Sequence, residues 1–109
     1  MKVLVCGDTE DREKVWWALY GFPKGTEVIS DSKYPLSSLV DSIAIEFNWV
    51  HNIYIGDLQE DSGPRNQAMV GVEKPEFVMV FHSDMSKDPN VVDIARKAKQ
   101  KGIAVIVIR

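Results

Sequence analysis

Arg65 is the side chain in this sequence best suited to hold an anion. Pro64 fits the first position of a helix, which places Arg65 in the first turn. Free backbone N–H groups and the helix dipole already favour negative charge there, and a guanidinium adds a planar fork that matches phosphate. The alternative for a lone arginine is a surface ion pair. Asn66 offers an amide to a base edge or a ribose, or else to local backbone near the helix start, and Gln67 offers the same group one position on. His82 follows an apolar run directly. An imidazole there either donates to a ligand near neutral pH or is satisfied by a backbone carbonyl. Asp84 and Asp88 cluster just beyond. Carboxylates bind ribose hydroxyls in many dinucleotide sites, but they repel phosphate. Asp88, with Pro89 behind it, is read as a helix cap, and His51 as structural. No metal site and no resident cofactor are expected.

The elements that must position these groups follow from the apolar pattern. Val3-Leu4-Val5-Cys6, ending at Gly7, is a continuous apolar run of the kind a strand buried on both faces shows. Asp8 to Asp11 supply helix-start residues, and Val15, Trp16, Leu19 and Tyr20 recur at helical spacing up to Gly21. Thr26 to Ser30 predicts a second strand. Leu36, Leu39, Val40, Ile43, Ala44 and Phe47 predict an amphipathic helix. Val50 to Ile55 predicts a third strand ended by Gly56-Asp57, and 59–63 a polar loop before the Arg65 helix. Phe77 to Phe81 is the strongest buried strand. A helix from Asp88 to Gly102, with Val91, Ile94, Ala95 and Ala98 inward, leads to a last strand from Ile103 to Ile108.

Strict alternation of strand and helix predicts an α/β fold. The expected form is a Rossmann-like three-layer sandwich, with a parallel five-stranded sheet and helices on both faces, in one domain spanning 1–109. In such sheets ligands bind beyond the carboxyl ends of the strands, where the winding reverses. Gly7, Asp8, Ser30, His82 and Asp84 fall there.

Composition narrows the function classes. A hydrophobic share of 45% supports a core without a disulfide or metal staple, and the single cysteine suggests a reducing, cytoplasmic setting. No apolar run approaches a membrane span. A net charge of −3 with no basic face makes nucleic acid a poor partner. Arg96, Lys97, Lys99 and Lys101 lie in the last turns of a helix and are read as a solvated face. Trp16 and Trp17 are adjacent and cannot both face one core, so one is expected at an oligomer contact.

Three segments together resemble the SLOG superfamily, specifically its small cpYpsA-related members. They are Val3 to Gly7 with Trp16 behind it, Gly63-Pro64-Arg65-Asn66-Gln67-Ala68-Met69 with Lys74-Pro75, and Val80 to Met85 with Asp93 to Ala98 and Gly102-Ile103. The resemblance implies a nucleotide-binding domain related to phosphoribohydrolases of the lysine-decarboxylase-like type. Arg65 matches the arginine of their catalytic helix, and Asp93 lies one position from their catalytic glutamate, about 100° of helix rotation away. Ser30 to Pro35 replaces a glycine-rich turn, and Asn90-Val91 replaces a Gly-Thr pair, so the phosphate cradle differs.

The resulting expectation is binding of a nucleotide-derived small molecule of the ADP-ribose or NAD-derived type, without efficient catalysis, by a homo-oligomer. One alternative is N-glycosidic hydrolysis of a nucleoside monophosphate, with Arg65 holding phosphate and Asp93 as acid–base group. The other is a protein-interaction module, of the sort a phage encodes, that has lost its ligand.

Overall fold

The computed structural model describes residues 1–55 and 63–109. The expected end of the third strand at Gly56-Asp57 and most of the loop after it lie outside these residues. The elements run β1 (Lys2–Gly7), α1 (Arg12–Tyr20), β2 (Glu27–Asp31), α2 (Leu36–Phe47), β3 (Val50–Tyr54), α3 (Gly63–Gly71), β4 (Phe77–Phe81), a short 3₁₀ turn (Met85–Lys87), α4 (Pro89–Gln100) and β5 (Ala104–Ile108). All strands are parallel, in the order β3-β2-β1-β4-β5. The expected α/β sandwich is therefore what the chain forms.

The strand order explains the layering. From β1 the chain steps outward through β2 to β3, then crosses back to β4 on the other side and out to β5. Crossovers of one hand put helices on one face while stepping one way and on the other face after the reversal. Accordingly Val15 and Leu19 of α1, with Leu36, Val40 and Ile43 of α2, pack on Val3, Val5 and Val28. Met69 and Val70 of α3, with Val91, Ile94 and Ala98 of α4, pack on Leu4, Cys6, Val78 and Val80. Each buried Val, Leu, Ile or Met side chain among them contributes about 1.5–3 kcal/mol over leaving it exposed.

Capping follows the sequence. The Asp11 carboxylate accepts from the Lys14 N–H at 3.2 Å, and Asp88 does the same for Val91 at 3.2 Å with Pro89 at the first helical position. Asn48 closes α2 in the left-handed region at φ 58°. Gly102, at φ 74°, turns the chain out of α4, and Ile103 donates back to the Ala98 carbonyl. Among the described residues no helix is long and apolar enough to cross a membrane.

Strand boundaries differ from expectation by one residue: β2 runs on to Asp31, which is buried, β3 ends at Tyr54, and β5 begins at Ala104. In α1, Val15 and Leu19 are buried, Trp16 is half-buried against α2, and Tyr20 is exposed with Trp17.

Candidate functional site

The reversal of winding lies between β1 and β4, which pair from Val3↔Phe77 to Gly7↔Phe81. Gly7 has φ +135°, and a Cβ built there would sit 2.1 Å from the Phe81 carbonyl oxygen. Only glycine lets the two backbones approach this closely. Asp8 then donates its N–H to that same oxygen at 3.0 Å. The strand ends are thus held together, and the side chains after them, Asp8 and His82, face each other across the crevice.

His82 Nε2 lies 3.2 Å from Asp8 Oδ2 and 3.5 Å from Asp88 Oδ2. Its Nδ1 accepts the Asp84 N–H at 3.0 Å. An amide can only donate, so Nδ1 carries the lone pair, and the neutral ring holds its proton on Nε2. Beside this cluster a pocket of about 200 Å³ is lined by Asp8, Thr9, Lys14, His82, Ser83 and Arg109 over a floor of Phe81 and Ile108. Among the described residues Lys14 makes no ion pair, and Arg109 contributes only through its field on Asp84. Asp84 accepts from Ser86, which, with smaller help from His82 and Arg109, holds its carboxyl below the usual range.

Arg65 and Asn66 are both engaged by protein side chains. Arg65 donates from Nη2 to Asn90 Oδ1 at 2.7 Å and to Asn66 Oδ1 at 3.3 Å, and lies 3.7 Å from Asp31 Oδ2. Asn66 is completely buried, and its amide donates to Asn90 Oδ1 and to Asp93 Oδ2, both at 3.0 Å. Asn90, in the place of the expected Gly-Thr opening, donates in turn to Asp31 Oδ2 at 3.1 Å. A side-chain network therefore fills the space between the end of β2 and the first turns of α3 and α4. No buried side-chain nitrogen or oxygen among the described residues lacks a partner.

Asp93 closes this network. It accepts from Lys97 at 2.7 Å, from Asn66 and from Arg96. Burial pushes its carboxyl up, but these hydrogen bonds outweigh burial and hold it below the ordinary value of 3.8. It is an anion with its lone pairs engaged, a poor proton donor at neutral pH. Lys97 also donates to the Gly63 carbonyl at 3.0 Å, which corrects its reading as part of a solvated face. Gln67 is exposed on α3.

Ser30 does not reach the carboxyl mouth. Its hydroxyl lies 2.7 Å from His51 Nε2, and His51 Nδ1 lies 3.1 Å from Asp41 Oδ1. Asp41 fixes the Nδ1–H tautomer, leaving Nε2 to accept from Ser30. That is the hydrogen-bond order of a serine-hydrolase triad. Yet Ser30 is 1% exposed and His51 is enclosed between β2, β3 and α2, so no substrate carbonyl can approach the oxygen. The relay ties α2 to the sheet.

Of the residues expected at the site, the structure brings Gly7, Asp8 and His82 together at the crevice, with Asp84 on its rim. It gathers Arg65, Asn66 and Asp93 in a separate, self-satisfied network and leaves Ser30 and Gln67 apart. Lys14 and Arg109 were not anticipated, and Thr9 and Ser83, in the segments after β1 and β4, were not singled out. Arg109 follows the last strand and Ser83 follows His82, so the rule that ligands sit past strand ends points to both. Lys14 has no distinguishing signal in sequence. Burial holds the Cys6 thiol far above its ordinary range, with Asp31 and Asp88 adding to the shift, so it is no nucleophile. Among the described residues no group of three or more histidines, cysteines or acids is placed to hold a metal ion.

Comparison with family models, with characterised proteins and with solved structures found no match to this chain.

Proposed function

We propose that this protein binds a small, anionic, nucleotide-derived molecule in the crevice between the carboxyl ends of β1 and β4, and that it does so without efficient catalysis. The observation that carries the reading is the pocket itself. It stands at the point where strand order reverses and is lined by two cations, Lys14 and Arg109, with the His82 ring held beside it by Asp8. Thr9 and Ser83 add hydroxyls, and Asp8 offers a carboxylate suited to sugar hydroxyls. A volume of about 200 Å³ is below the usual span of a whole-ligand pocket and suits a phosphate with its ribose, the base extending outward. The resemblance to nucleotide-binding SLOG members supports the same ligand class.

The state of Asp93 and Arg65 argues against hydrolysis by the residues that the resemblance assigns. Both are engaged with protein partners, and catalysis needs tighter placement than recognition does. Thermal-shift titration with AMP, ADP-ribose, NAD and cyclic ADP-ribose tests the reading. At least one of them is expected to raise Tm, and Lys14→Ala to abolish the rise. Absence of stabilisation by all four, or stabilisation that survives Lys14→Ala unchanged, refutes it. Release of free base from a nucleoside monophosphate would restore the enzymatic alternative.

A further inference from the structure

The outer edge of β5 has no strand beside it among the described residues. The strand reads Ala104-Val105-Ile106-Val107-Ile108 and pairs with β4 residue for residue, Phe77↔Ala104 through Phe81↔Ile108. No bulge, proline or charge interrupts it. Soluble proteins usually blunt an exposed edge by one of those devices. The other edge strand, β3, carries His51 and Asn52 within it. In β5, Ile106 and Val107 remain 40% and 39% exposed.

The neighbouring helix extends this surface. In α4, Asn90, Asp93 and Lys97 turn toward α3, while Val91, Ile94 and Ala98 face the sheet. The remaining flank carries Val92, Ala95 and Lys99, three and four residues apart. With Met85, Arg96 and Gln100 it lines a shallow, mostly apolar groove of about 580 Å³.

We propose that this edge and groove form the contact surface of a symmetric homodimer, in which β5 pairs antiparallel with β5 of a second copy about a two-fold axis through Ile106. Three features favour a copy of this chain over a foreign strand. The register matches itself: Ala104 meets Ile108, Val105 meets Val107 and Ile106 meets Ile106, so every cross-strand pair is apolar. The helix spacing also closes. Strands lie about 4.8 Å apart, so two α4 helices, each over its own β4–β5 gap, run about 10 Å apart, within packing distance when a residue as small as Ala95 is at the contact.

The charges complement each other as well. Antiparallel α4 helices bring the acidic end of one, with Asp84 and Asp88, against the basic end of the other, with Lys99 and Lys101. Neither lysine has an ion-pair partner among the described residues. Lys87 and Arg109 are the groups of unfavourable sign at that end; Lys87 is paired with Asp84 of its own chain at 3.7 Å, and Arg109 acts on Asp84 through its field.

Sedimentation velocity over a micromolar concentration series tests the proposal. The wild-type chain is expected as a dimer. Val92→Glu, at an exposed position, is expected to raise the dimer dissociation constant about tenfold or more. Lys99→Glu with Lys101→Glu should raise it several-fold at low salt and less at high salt. Directly opposed residues of an antiparallel pair have Cα atoms about 4.5–5.5 Å apart, within disulfide range. Ile106→Cys should therefore oxidise to a covalent dimer, and Ile53→Cys on β3 should not. A wild-type monomer throughout the range, a dimer indifferent to Val92→Glu, or cross-linking through Ile53→Cys as readily as through Ile106→Cys overturns the proposal. None of these outcomes depends on the ligand reading.

Discussion

Gly7→Ala is expected to be among the most damaging single substitutions in this chain. The added Cβ would stand 2.1 Å from the Phe81 carbonyl oxygen, 2.7 Å from its carbon and 2.9 Å from its nitrogen. These are backbone atoms of a central strand and cannot rotate aside. Two costs combine. An alanine at φ +135° occupies backbone space that L residues rarely adopt, about 1–3 kcal/mol. Forcing β4 away adds about 1–3 kcal/mol of overpacking and weakens the Asp8 N–H bond to Phe81. The sum is about 2–6 kcal/mol, against a total of roughly 5–15 kcal/mol for a domain of this size. Tm should fall by roughly 10–30 °C. Urea unfolding followed by circular dichroism reads the change as a lower midpoint at unchanged slope. Gly21→Ala is the control. Nothing lies within 4 Å of a Cβ there and its φ is −79°, so its effect should stay within about 0.5 kcal/mol. A loss below about 1 kcal/mol for Gly7→Ala would show that β1 and β4 are not held as closely as the crevice requires.

Two further outcomes follow from the polar clusters. Because the Asp93 carboxyl is held below its ordinary value, it adds stability at neutral pH that is lost as pH falls through the folded value. Asp93→Asn should thus lose about 1–2 kcal/mol near neutral pH. Its gap to wild type should narrow below about pH 4, and urea midpoints across a pH series that show a constant gap would contradict this. His51→Leu leaves the Ser30 hydroxyl buried without an acceptor and should cost about 1–3 kcal/mol. In the native wild type a fluorophosphonate probe should leave Ser30 unlabelled, and labelling seen by mass spectrometry would mean that the serine is reachable.

The fold was legible because β1 and β4 are covered on both faces and so read as unbroken apolar runs. The helices between strands carried their caps, Asp11 and Asp88, in the sequence. The end of β2 was less legible. An aspartate normally signals that a strand is over, but Asp31 continues it because Asn90 and Arg65, far along the chain, supply its buried partners. The same long-range pairing hid the fate of Arg65. A helix-start arginine looks free to take an anion until the tertiary structure sets an amide against it. Asp8 and His82 could be anticipated from strand ends alone. Lys14 could not, since nothing local separates it from the other cations. The Ser30–His51–Asp41 relay depends on the register of β2 against β3 and on the tilt of α2, neither of which periodicity encodes.

Asn90 has a consequence for how the chain ages. Its carbonyl oxygen receives N–H groups from Arg65 and Asn66, while its amide nitrogen gives to Asp31, so the side chain is polar in one direction and rotating it would set donors against donors. Hydrolysis of that amide to a carboxylate would retain the shape and the two incoming bonds. It would also set a new negative oxygen about 3 Å from Asp31, with the Arg65 guanidinium as the cation that both carboxylates share. A single deamidation would therefore turn the bridge between β2 and α4 from a direct hydrogen bond into a joint that depends on Arg65.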